Sequence, residues 1–180
     1  LLALLTTNWL ISTHVAADIT AQMGRTVLYV ARMVAHSPMV AEGLAGLRNE
    51  TEIQDYANSM RDLTQSAIVV VFDLEGMRKS HPDQAKLGYH VVGGDEERAL
   101  RGEEYLSFAT GTVGPQLRAF TPVYYNGRQV GAVVAGILVD DVEQAVAATR
   151  NRIFVTILLG MAIGITGAVL LARTVTSACK

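Results

Sequence analysis

The sequence predicts an α+β domain with one antiparallel sheet and helices on one face, set between two apolar ends. Three observations carry this. The first third has a helical apolar stripe, with Ile19, Met23, Val27, Val30 and Val34 on one face. The later half holds three strand-like runs joined by glycine-containing turns, with no crossover helix long enough for parallel pairing. Residues 153–172 are a run of 20 residues without a charge.

The apolar ends come first. A spanning helix needs about 20 apolar residues, which the run between Arg152 and Arg173 supplies alone. Residues 1–11 carry no charge but are too short to span, and are read as the C-terminal part of a first spanning helix over 1–14. A cleaved signal peptide is the rival reading, disfavoured because no charged n-region precedes the apolar run. The layout expected is therefore 1–14 first membrane segment, 15–145 ligand-binding domain, 150–174 second membrane segment and 175–180 the start of a cytoplasmic part. Arg150 and Arg152 balance Arg173 and Lys180, so charge does not set the orientation.

Between these ends the elements follow in order. A long helix over 12–35 is expected to continue the first membrane segment, until Ser37-Pro38 interrupts it. A short turn over 39–47 follows. Thr51-Glu52-Ile53-Gln54 fits a capping box, with Gln54 reaching back to the cap, and opens a helix to about residue 64. Residues 67–72 are β-branched and continuous, which suits a central strand, and 77–80 read as its hairpin partner. Residues 88–94 are loop, and Asp95 is placed to cap a short helix through Leu100. Strands are expected over 105–110, 116–125 and 128–139, the last two joined by Asn126-Gly127, where both positions favour positive φ. Asp140-Asp141 then starts a helix into the second span.

Composition bounds the function. The 180 residues give room for about one domain, and a net charge of −2 gives no reason to invoke nucleic acid. The single cysteine, Cys179, cannot form a disulfide within the chain, and no Cys/His spacing suggests a metal. No Ser/His/Asp set is apparent and the carboxylates lie at caps and loops, so no catalytic residue and no cofactor are assigned.

The candidate site is an anion pocket built on Gly76-Met77-Arg78-Lys79-Ser80-His81-Pro82. Arg78 offers a planar fork that suits a carboxylate, and His81 adds a donor and, when protonated, a charge. Arg118 and Phe120 share a face of a later strand, which suits a ligand with charged ends and an apolar middle. Gly111 and Gly114 leave backbone N–H groups free to approach an anion. Each has a plainer reading: Arg78 in a surface ion pair with Glu75 or Asp73, His81 as a turn residue before Pro82, Arg118 exposed beside a core Phe120. Only the combination favours a site.

These residues resemble the sensor region of the citrate and four-carbon dicarboxylate sensor histidine kinases of the CitA/DcuS type. The matching text is Val30-Ala31-Arg32-Met33-Val34-Ala35 with Ser37-Pro38, then the Gly76 to Pro82 block and Gly93-Gly94-Asp95-Glu96. It ends on Gly111-Thr112-Val113-Gly114-Pro115-Gln116-Leu117-Arg118-Ala119-Phe120-Thr121-Pro122-Val123, with Gly131 to Gly136. The resemblance implies a PAS-like (PDC-type) extracytoplasmic domain at a bacterial inner membrane. It implies a small carboxylate held by Arg78, His81 and Arg118 and by the backbone of Thr112 and Val113, with Ser80 and Phe120 completing the candidate set. It also implies signalling through a kinase core to a response regulator.

Where some citrate sensors carry a lysine two residues past the strand arginine, this sequence has Phe120, and Val70 and Val134 stand where hydroxyls can occur. A four-carbon dicarboxylate is therefore expected over citrate. Gly160 and Gly164 make a Gly-x-x-x-Gly in the second span, which suits a helix pair and a homodimer, against the plainer reading that glycine is common in spanning helices. The rival functions are the ectodomain of a chemoreceptor or cyclase with the same ligand class, a membrane-anchored enzyme, or a structural dimerisation module.

Overall fold

The computed structural model describes the backbone of residues 2–178 and the side chains of residues 17–170 and 173. One compact unit is Asp18–Val142, which holds the sheet and the candidate site. The helical ends form a second unit and are taken by themselves.

The elements are α1 (Leu2–Ala35), α2 (Pro38–Leu44), α3 (Glu50–Thr64), β1 (Ile68–Asp73), α4 (Glu97–Leu100), β2 (Tyr105–Gly111), β3 (Gly114–Tyr125), β4 (Arg128–Leu138) and α5 (Val139–Ala178). The turn expected over 39–47 is instead mostly helix α2. Pro38 occupies its first turn, where a missing N–H costs nothing, and extended Ser37 precedes it. α3 begins earlier than the capping-box reading had it. Asn49 is the cap, and its side chain accepts from Thr51 N–H. Gln54 is free of that task and is buried elsewhere.

The sheet is antiparallel throughout, in the order β1-β4-β3-β2. β2, β3 and β4 form the expected meander, and Asn126 and Gly127 turn the last hairpin at φ 49° and 76°. β1 is an edge strand, not a central one. Its apolar run is nonetheless buried, because both faces of the sheet are covered and residues 77–80 lie along its outer edge. Those residues are not a regular hairpin partner. Lys79 and Ser80 both donate to the Val71 carbonyl, at 2.8 and 3.2 Å, so the ladder cannot propagate; one isolated bridge joins Arg78 to Phe72 of β1, and Met77 bridges to His90 instead.

Strand alternation splits the core in two. Odd-numbered residues Val69, Val71, Ala119, Val133 and Ala135 pack with Val27, Val30, Val34, Val40 and Ile53 of α1, α2 and α3. Even-numbered residues Ile68, Val70, Phe72, Phe120 and Val134 face Val91 and Ala99. The expectation of helices on one face therefore holds for the long helices only. The second face is roofed by α4 and the loop before it, and the candidate site lies there.

Among the described residues, one helix is long and apolar enough to cross a membrane, over Val139–Leu170 in α5. The first membrane segment expected over 1–14 and the cytoplasmic start over 175–180, Cys179 included, fall on residues whose side chains lie outside those described.

Candidate functional site

The site grows from the edge of β1. Asp73 shapes the turn after it, its Oδ1 accepting from Glu75 and Met77 N–H at 3.1 and 2.8 Å. Gly76 follows at φ 78° with the His90 ring packed where a Cβ would stand. The chain then returns along β1, and Ser80 Oγ accepts from Val71 N–H at 2.7 Å. From α3, Gln54 bonds both backbone groups of His81. Arg78 and His81 are thereby fixed on the roofed face.

Arg78, His81, Thr112 and Arg118 border one narrow cavity. Ile68, Val70 and Val134 form its apolar floor, and Val91 and Val92 its roof. The free space is about 10 Å³, room for about one water. Two guanidinium groups and an imidazole thus meet around an apolar strip.

Arg78 is 4% exposed and, among the described residues, has no carboxylate in ion-pair reach. Its one side-chain bond is a long one, Nη1 to the Lys86 carbonyl at 3.5 Å. Burial lowers its pKa, and the charge of Glu96 partly offsets this. The plainer reading of a surface pair with Glu75 or Asp73 does not fit. Lys79 is the residue that pairs with Asp73, at 3.5 Å, and with Glu50 at 2.8 Å.

His81 Nε2 lies 2.8 Å from Thr112 Oγ1. Its Nδ1 sits 3.0 Å from both the N–H and the carbonyl oxygen of Asp83. A neutral ring accepts from the first, and a protonated ring donates to the second. Burial holds its pKa below the usual histidine value, and the Arg78 and Lys86 charges act in the same direction against Asp83.

Arg118 is 2% exposed. Its Nη1 donates to the Val92 carbonyl at 3.1 Å and its Nη2 to Asp95 Oδ1 at 2.7 Å, while Nε has no partner. Asp95, expected as a helix cap, is instead this arginine's counter-ion. Glu96 stands at the α4 cap without a side-chain bond.

The other expected site residues lie outside the cavity. Phe120 is beneath Arg118, 5.6 Å from the guanidinium carbon, stacked on Tyr105 at 5.0 Å and edge-on to Phe72. Ser80 is fully buried as a brace on β1. Val113 is exposed at the tip of the β2–β3 turn. Thr112 borders the cavity and its hydroxyl contacts His81.

Sequence reasoning missed Asp95 and Gln116. Gln116 is fully buried, two residues before Arg118 on the same face of β3, and neither amide atom has a partner. It lies against Gly111 and Gly136, whose missing side chains make its room. Only its i, i+2 relation to Arg118 was available as a signal.

Comparison with known proteins places the chain. The family model of single cache domain 3 matches residues 14–151. The sensor protein CitS of Halalkalibacterium halodurans is 36% identical over 165 residues, covering 91% of this chain and 31% of that protein. A probable C4-dicarboxylate sensor kinase of Bacillus subtilis is 28% identical over 153 residues, covering 84% of this chain and 29% of that protein. The crystal structure of the E. coli DcuS sensor domain superposes with a TM-score of 0.66 at 33% identity, covering 71% of this chain and 96% of that domain. The chain thus spans less than a third of the full-length relatives.

Proposed function

The chain belongs to the single cache domain 3 family, and from that membership we propose that it is the ligand-binding and signal-transmitting region of a membrane sensor histidine kinase taking a small dicarboxylate. The observation that carries the ligand class is the pair of buried arginines, Arg78 and Arg118, facing one cavity across an apolar floor. Buried guanidinium groups call for anions, and two of them separated by valine and isoleucine match two carboxylates joined by a short carbon chain. The B. subtilis relative carries C4-dicarboxylate sensing in its name.

His81 and Thr112 supply further donors, and the role is binding rather than catalysis. Val70 and Val134 in the floor leave a third carboxylate or a hydroxyl without a partner there. An unpartnered buried polar group costs about 1–3 kcal/mol, so a four-carbon dicarboxylate is favoured over citrate.

In this reading residues 15–145 lie outside the cytoplasm at the bacterial inner membrane. Residues 1–14 end one crossing, 150–174 make the second, and 175–180 begin the cytoplasmic part. Two copies pair, and a kinase core elsewhere in the full-length protein signals to a response regulator. Calorimetric titration of the purified chain against di-, tri- and monocarboxylates tests the ligand class. Binding of dicarboxylates ahead of tricarboxylates is expected, and failure of every carboxylate to bind would overturn the proposal.

A further inference from the structure

Asp95 puts a carboxylate where a ligand's carboxylate is expected. It reaches Arg118 from a strap, residues 91–96, that roofs the cavity and contributes two bonds to the same guanidinium, one from Asp95 and one from the Val92 carbonyl. Gly93 makes the approach possible. It holds φ at 138°, and a Cβ there would stand 2.1 Å from Arg118 Nη2. The strap's grip is incomplete, since Arg118 Nε and Asp95 Oδ2 are both buried without partners.

The next residue repeats the pattern more loosely. Glu96 is buried, its Oε2 has no partner, and its charge acts on Arg78. Arg118 is thus paired with an acid of the chain itself, and Arg78 has a second acid, Glu96, whose charge reaches it without an ion pair. A dianion added to this set would leave two surplus negative charges out of water, which is strongly unfavourable. The free space, about 10 Å³, does not admit one either.

We infer that Asp95 is a specificity-determining residue: its carboxylate is a resident anion on Arg118 that a ligand carboxylate must displace. This rests on the carboxylate-binding reading above. Lifting Asp95 draws the adjoining Glu96 away from Arg78. A monocarboxylate restores the balance at Arg118 only and leaves Arg78 bare. A dicarboxylate restores it at both. The strap therefore selects for ligands with two carboxylates by making single replacement costly.

The rival role for Asp95 is to orient Arg118 for the ligand, and the two roles predict opposite signs. Calorimetry on the full 180-residue chain in detergent micelles, with succinate and butyrate as probes, separates them. With Asp95→Asn, succinate should bind about tenfold tighter, since a charge-assisted competitor is gone, and butyrate binding should become measurable. Unchanged or weaker succinate binding would overturn the inference while leaving the carboxylate reading intact. Glu96→Gln leaves the Asp95–Arg118 pair in place and so keeps the test independent of that pair's part in folding. It should narrow the preference for succinate over butyrate, and an unaltered preference counts against selection by the strap. If wild type binds no carboxylate, the reading and the inference fall together.

Discussion

Gln54 holds His81 by both ends of its peptide. Its Nε2 donates to the His81 carbonyl and its Oε1 accepts from the His81 N–H, each at 2.8 Å. A residue of α3 thus fixes the backbone of the imidazole that borders the cavity. Gln54→Leu would leave two buried backbone groups unpaired, at about 1–3 kcal/mol each. Denaturant unfolding should show a stability loss of about 2–6 kcal/mol for the two groups together, and carboxylate affinity should fall with it.

Arg78→Ala and Arg118→Ala should each remove carboxylate binding while the domain stays folded. Truncating one side of a desolvated charge pair costs about 2–5 kcal/mol. Titration of either variant within a few-fold of wild-type affinity would move the site elsewhere. Circular dichroism of the same samples separates lost binding from lost fold.

In the proposed reading, His81 makes binding depend on pH. Burial, with the charges of Arg78 and Lys86, holds its pKa below the usual histidine value in the free protein. A bound dianion raises it, so binding takes up a proton. Affinity should be highest below the free pKa and decline as pH rises through the free and then the bound value. Asp83 can serve either ring state, which removes one obstacle to the change. Equal affinity at about pH 6 and pH 8 would mean that His81 binds as the neutral ring.

Gln116→Met should stabilise the domain. Both amide atoms are buried without partners, and an apolar side chain of similar shape removes that desolvation cost, about 1 kcal/mol or more. A melting temperature unchanged or lowered would mean that the amide is in use.

The route of the signal is also testable. β4 ends at Leu138 and α5 begins at Val139, with no loop between them. Inserting flexible glycines after Asp141 should leave ligand affinity intact and abolish output in the full-length protein. Unchanged output would make α1 the candidate route instead.

The family and the antiparallel sensor fold were legible in the sequence. Strand alternation, the Asn126-Gly127 turn and the apolar stripe of α1 are short-range signals, and short-range rules read them. Arg78, His81, Thr112 and Arg118 were also singled out before the structure placed them around one cavity. What escaped were pairings across long stretches of chain. Gln54, early in α3, and Asp95, just before α4, have side chains suited to capping, so local rules assigned them there. Their actual partners are 27 and 23 residues away. β1 was read as central because a run buried on both faces looks the same whether a strand or an irregular segment covers its edge.

That covered edge links recognition to solubility. An exposed, apolar edge strand is a template on which a second sheet can grow, and proteins blunt such edges in various ways. Here the blunting is done by residues 77–80, the segment that also delivers Arg78 to the cavity. Drift in this segment to suit a new ligand would loosen the cover on Ile68–Asp73 and expose it to other chains. Ligand preference is then freer to diverge from the far wall, at Arg118 and the strap, than from the wall that bears Arg78. Substitutions in 77–80 that only weaken the edge bonds, Ser80→Ala first among them, should appear as aggregation during expression before they appear as altered binding.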